Sequence, residues 1–193
     1  NLGCPFPMIA GKHKGAGMLL YPAQVAEVLA PIAEYPEIQF SLKMRLGWEN
    51  ASECMVLVEL LNAIRLSRIA LHARTGKQQY KGHPDLEAFQ GFYELCQHPL
   101  YYNGGIESLS DIRQILIRFP LLKGVFIGRG LLSSPLLAKE FKGNETFLPE
   151  QRMSIYFAFH EELFSAYSQV LQGETQLLVK MKTLWEYFLP ETE

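Results

Sequence analysis

The sequence predicts an α/β fold on a parallel sheet, followed by a small all-helical unit. Three observations carry this reading. Short apolar strands alternate with amphipathic helices through residues 22–141, the pattern of successive βα units. Strand interiors such as IQFSLKM and RIALH are nearly all apolar, as expected for strands covered on both faces. After Gly143 the strands stop, and two long helical stretches follow the turn-rich GNETFLPEQ.

Each element has its own signal. Residues 22–34 place Val25, Val28, Leu29 and Ile32 at helical spacing behind Pro22, which suits a first turn. Residues 38–44 read as a strand, and residues 52–66 as a helix with Ser52 as candidate N-cap. Residues 68–72 form the next strand, then residues 85–97 a helix capped by Asp85. LYYN at 100–103 is a short strand, and SLSD opens a helix over 108–119 with a capping pattern. GVFI at 124–127 is a strand, and Ser134 with Pro135 opens a short helix to 141. Residues 149–172 and 176–189 read as the two long helices, the first rich in Phe and Tyr.

The 193 residues suffice for one domain with a real core, or a domain plus an appendage. With 48% hydrophobic and 20% charged residues, the composition is that of an ordinary globular chain. A formal net charge of −2 gives no global basic field, so a nucleic acid would have to meet a local patch. Charges break the longest apolar runs well short of a membrane span. Cys4, Cys54 and Cys96 have no paired spacing. That argues against a disulfide framework or a zinc site and for a reducing, cytoplasmic compartment. Leu2 reads as the tail of a strand that begins upstream.

The unusual polar residues fall at the C-terminal ends of the strands: Cys4, Lys43, His72 with Arg74, Asn103, and Gly128 with Arg129. In parallel α/β folds that edge is where ligands bind, and in a (β/α)8 barrel it is the face of the active site. GRG at 128–130 lets backbone N–H groups approach an anion, with Arg129 able to pair with phosphate. Asn103-Gly104-Gly105 follows the preceding strand, so together the two glycine-bearing ends suggest a phosphate cradle. Alone, each reads as a tight turn. Lys43 could face an electron-rich ring or snorkel to solvent. His72 is open to a ligand contact or a structural one. Cys4 could be a plain buried thiol, a nucleophile or a proton donor, with Lys12, His13 and Lys14 in the same loop.

Taken together and in order, NLGCP, KGAG, SLKMRLGW, LHARTGKQQYKG, YYNGGI and GVFIGRGLL closely resemble the tRNA-dihydrouridine synthases. The similarity runs from residue 1 to about residue 141, and the helical tail resembles that family's tRNA-binding domain more loosely. The resemblance implies the C-terminal half of a (β/α)8 TIM barrel over 1–142, binding FMN, and a helical tRNA-binding domain over 149–193. It implies a flavin reduced by NADPH, hydride transfer to C6 of a tRNA uracil, and protonation of C5 by a cysteine thiol. Carried over, Cys4 is the general acid and Lys43 and His72 contact the flavin ring. Asn103, Gly104 and Gly105, with Gly128 and Arg129, hold the FMN phosphate, and Arg74 is a further candidate contact. Lys77, Lys81, Lys180 and Lys182 are candidates for RNA phosphates.

Two departures are expected to matter. The family usually carries an acidic residue where Gly105 stands. Its first three barrel strands and most of the fourth have no counterpart here, so the piece alone is expected to bind FMN weakly and to be inactive. The complete protein is expected to be a monomer without metal or membrane. A dihydroorotate dehydrogenase-like reductase of a free pyrimidine fits NLGCP and HARTGKQQYKG less well and leaves the helical tail unexplained. An RNA-binding remnant without catalysis is the other reading, against which the retention of Cys4 and Lys43 argues.

Overall fold

The computed structural model describes residues 1–188. It contains a four-stranded, wholly parallel sheet in the order β1-β2-β3-β4. The strands are β1 (Ser41–Gly47), β2 (Arg68–Thr75), β3 (Leu100–Asn103) and β4 (Gly124–Phe126). Helices α3 (Glu53–Asn62), α4 (Leu86–Leu95) and α5 (Leu109–Arg118) connect them in turn. Before the sheet come α1 (Pro7–Ala10), a 3-10 helix over Gly15–Leu20, α2 (Pro22–Leu29) and a second 3-10 helix over Ala30–Glu34. After it come α6 (Arg129–Ser133), α7 (Leu137–Gly143), α8 (Pro149–Val170) and α9 (Glu174–Trp185). Leu2 makes a parallel bridge to Met44, its N–H donating to the Lys43 carbonyl at 2.8 Å, on the edge of β1 away from β2.

The chain divides into two compact units. One is Asn1–Gly105 with Ile112–Phe126, and the other is Ile106–Asp111 with the chain from Ile127 onward.

In the first unit the sheet has two unlike faces. Leu42, Met44 and Leu46, Ile69, Leu71 and Ala73, and Leu100 and Tyr102 are all buried. This face meets the helices: Phe89 of α4 sits edge-on to Tyr102 at 4.9 Å and to Phe119 at 5.0 Å. Burying such rings contributes about 1.5–3 kcal/mol each. Because successive strand residues point to opposite sides, the other face carries Lys43, Arg45, His72, Arg74, Tyr101 and Asn103. Strand interiors are covered on both faces, as expected, but the second face is a polar strip in which Arg45, His72 and Arg74 are buried.

Local chemistry explains where the elements stop. The Asp85 carboxylate accepts the Ala88 N–H at 2.9 Å, capping α4 as expected. Ser108 and Asp111 exchange side-chain bonds reciprocally, the capping box of α5. Four expectations need correction. Residues 22–34 are not one α-helix, because Pro31 has no N–H to give and crowds the preceding turn; the chain tightens to 3-10 after Leu29. Ser52 makes no capping bond. Instead the Glu53 carboxylate accepts the N–H groups of Trp48, Glu49 and Asn50, at 2.7, 3.2 and 2.8 Å. The first strand is not 38–44 but Ser41–Gly47: Ile38 closes a turn onto Tyr35, and pairing with β2 begins at Ser41↔Arg68. The helix expected over 134–141 is α7, which starts only after the turn containing Pro135, and a further short helix, α6, precedes that turn.

In the second unit, the buried Glu140 of α7 pairs with Arg152 of α8. Leu136, Tyr156 and Phe188 form its small core. Among the described residues no helix is long and apolar enough to cross a membrane, and no group of three or more His, Cys, Asp or Glu could hold a metal ion.

Candidate active site

The parallel register sorts the polar strip into rows. Lys43, Ala70, Tyr101 and Gly124 lie level across the four strands. One step further on, Arg45, His72, Asn103 and Phe126 form a second row. Neighbouring strands are about 4.8 Å apart, so each row is a short ladder of side chains on one face. Lys43 is therefore not a strand end, as its sequence position suggested. It sits third of seven residues in β1, one step below Arg45.

His72, Arg74 and Gly104 are brought together. An Arg74 Nη1–H donates to His72 Nε2 at 3.3 Å, so the imidazole accepts there and carries its proton on Nδ1. Arg74 Nε and Nη2 both donate to the Gly82 carbonyl, at 3.3 and 2.9 Å. Gly104 has φ +126°, and a Cβ there would stand 2.9 Å from the His72 ring and 3.6 Å from Arg74. Only glycine tolerates both the backbone angle and the closeness. Gly105 has φ +62°, with Pro84 close on one side. Asn103 is turned toward the next strand, its Nδ2–H donating to the Phe126 carbonyl at 2.7 Å.

Arg45 is the largest fully buried side chain. Its Nε donates to the Gly3 carbonyl at 3.1 Å, and its Nη1 to the carbonyls of Thr75 and Gln79 at 2.9 and 2.6 Å. Its guanidinium lies 5.3 Å from the centre of the Tyr80 ring. Burial, and then the like charge of Arg45, push the Lys43 ammonium below its ordinary pKa. Burial also lowers Arg45, against the raising effect of Tyr80. Two neighbouring cations, one buried and one half-buried on the same face, carry a cost that a nearby negative charge would offset. The sequence reading missed Arg45 and Tyr80. The alternation in SLKMRLG held the signal: Lys43 and Arg45 are two apart and so share a face.

The three cysteines differ. Cys54 is buried, donates to the Ala51 carbonyl and is pushed up to about 12 by burial. Burial also raises Cys96. Cys4 is half-buried and held by its backbone: Ala16 N–H donates to the Cys4 carbonyl at 2.9 Å, and a Cβ on Gly15 would touch Cys4 at 2.7–2.8 Å. In the same loop His13 stacks on Tyr21 at 4.2 Å, while Lys12 and Lys14 are exposed.

Asn103, Gly104 and Gly105 belong to the first unit, Gly128 and Arg129 to the second. A Cβ on Gly128 would meet nothing within 4 Å, so its backbone is open to approach. Gly130 is a packing glycine, since a Cβ there would overlap the Ile106 carbonyl. Of the lysines considered for RNA, Lys77 pairs with Glu49 at 2.6 Å and Lys180 lies over the Tyr167 ring at 5.6 Å. Lys81 is exposed, and Lys182 lines a groove between α8 and α9 with His160, Phe164 and Trp185.

The family model for dihydrouridine synthase (Dus) matches residues 1–189. A protein of Aquifex aeolicus named "Probable tRNA-dihydrouridine synthase" is 34% identical over 146 residues, 74% of this chain and 45% of its own length. The tRNA-dihydrouridine(16) synthase of Haemophilus ducreyi is 31% identical over 147 residues, 75% of this chain and 45% of its own length. The tRNA-dihydrouridine synthase B of Vibrio vulnificus is 26% identical over 154 residues, 78% of this chain and 48% of its own length. The chain spans about half the length of the curated relatives it matches. With a match over residues 1–189, the chain belongs to the dihydrouridine synthase family.

Proposed function

We propose that the whole protein is an FMN- and NADPH-dependent oxidoreductase that reduces the C5–C6 double bond of specific tRNA uridines to dihydrouridine. The carrying observation is the polar strip: Lys43 and Arg45, His72 and Arg74, and Asn103 on one sheet face, with Cys4 on the segment bonded to the edge of β1. The residues present fit a flavin. Three cations on one face suit the negative charge of a reduced ring, and the glycine backbone at Gly104 and Gly105 suits close approach of a phosphate.

In this reading Lys43 and His72 hold the ring, and Asn103, Gly104, Gly105, Gly128 and Arg129 hold the phosphate. A flavin held there would supply the hydride that C6 of the uracil accepts. Cys4 holds a proton on Sγ for delivery to C5. Arg74 fixes the His72 tautomer, so that Nδ1 is a donor. The uracil must leave its stack to reach the strip, which fits an open barrel rim. The parallel bridge of Leu2 to β1 supports a sheet that continues upstream as the rest of a TIM barrel, with residues 1–142 as its C-terminal half. Residues 149–193, of which 189–193 lie outside the described residues, are the tRNA-binding part, with α8 and α9 as its helices, and the protein acts in the cytoplasm.

The test is complementation. Cells lacking the gene receive the full-length protein, wild type or Cys4→Ala, and dihydrouridine is mapped in their tRNA. Wild type restores one or a few positions and Cys4→Ala does not. Normal tRNA in the deletion strain, with a free pyrimidine accumulating instead, would favour the dihydroorotate dehydrogenase-like reading.

A further inference from the structure

We infer that Arg45 is a positioning residue that sets the direction of the Cys4 thiol; this rests on the reading of Cys4 as the proton donor. Arg45 is 1% exposed, and its bonds go to backbone from two distant segments. The Gly3 carbonyl it binds is part of the Gly3–Cys4 peptide. That peptide's rotation fixes where the Cys4 Cα–Cβ bond points. The peptide on the other side of Cys4 is held as well, by the Ala16 N–H. Both peptides flanking the thiol are thereby pinned, one by Arg45 and one by the 3-10 helix. The remaining donations, to Thr75 and Gln79, tie the thiol segment to the end of β2 and the loop after it, where Tyr80 covers the guanidinium.

Packing alone does not call for an arginine here. Burying a guanidinium is costly, and an apolar side chain of similar volume would fill the space at less cost. A rigid planar fork earns its place where several acceptors must be held at fixed angles. A lysine ammonium, as a point charge, cannot reproduce that geometry.

The test uses the full-length protein with Arg45→Lys and Arg45→Met. Amide exchange is followed in peptides containing Ala16 and Gln79, with α4 as internal reference, alongside dihydrouridine formation on tRNA. With Arg45→Lys, exchange around Ala16 and Gln79 rises by about 10-fold while α4 is unchanged. Turnover falls by about 10-fold or more, as expected for a misaimed group, and KM for tRNA stays within about twofold. Arg45→Met gives the same pattern with a larger fall; should it not fold, Arg45→Lys decides. Unchanged exchange at both places, or full turnover with Arg45→Lys, overturns the assignment. If the wild type forms no dihydrouridine, the proposed reaction fails, and the exchange data still decide the strap on their own.

Discussion

Lys43 shows how a residue proposed for the site can weigh on the fold that carries it. Its ammonium is held below its ordinary pKa by burial and by Arg45. The folded pKa lies below the unfolded one, so the penalty is present at neutral pH and disappears as pH rises through that interval. Lys43→Met is therefore expected to raise the melting temperature of the ligand-free protein at pH 7 while weakening FMN binding, checked by thermal denaturation and flavin titration. Cys54 works in the opposite sense. Its thiol is raised from 9.0 to about 12, so the folded state keeps a proton the unfolded chain releases. Stability is unaffected below about pH 9 and falls above it, by up to about 1.4 kcal/mol per pH unit until about pH 12. Urea denaturation of wild type and Cys54→Ala across pH 8–11 checks this, because the alanine variant loses that component of the slope.

At the scale of elements, Glu53 is the residue to test. Its carboxylate gathers three backbone N–H groups from the loop after β1. Glu53→Ala is expected to cost about 2–3 kcal/mol, since bonds to a charged acceptor are the stronger kind, and denaturant unfolding measures it. The elements also show what the sequence could reveal. The βα alternation and the caps at Asp85 and Ser108–Asp111 were legible because each is decided within four residues. Helices α1 and α6, four and five residues long, are too short for periodicity to register. The end of β1 was misread because a charged residue, Arg45, looks like a boundary. Its burial is set by carbonyls 30 to 42 positions away, which no local pattern contains. Cys4, Lys43, His72 and Asn103 stood out in sequence as polar residues at the ends of apolar strands. That Lys43, His72 and Asn103 share one face became visible only with the register.

At the scale of the molecule, the sheet among the described residues runs from the bridge of Leu2 beside β1 across to β4. Unpaired edges expose backbone N–H and C=O groups. The 193-residue chain purified alone is expected to carry well under one FMN per chain, read from its flavin absorbance, whereas the full-length protein carries close to one. The central claim is that the thiol at Cys4 and the cationic strip beside it serve reduction of uridine in tRNA. The most direct measurement is dihydrouridine formed per flavin by the full-length protein with FMN, NADPH and unmodified tRNA, wild type against Cys4→Ala. The account predicts turnover in the wild type and a loss of about 100-fold or more in the variant, the range for removing a general acid; dihydrouridine formation at the wild-type rate by Cys4→Ala would contradict it.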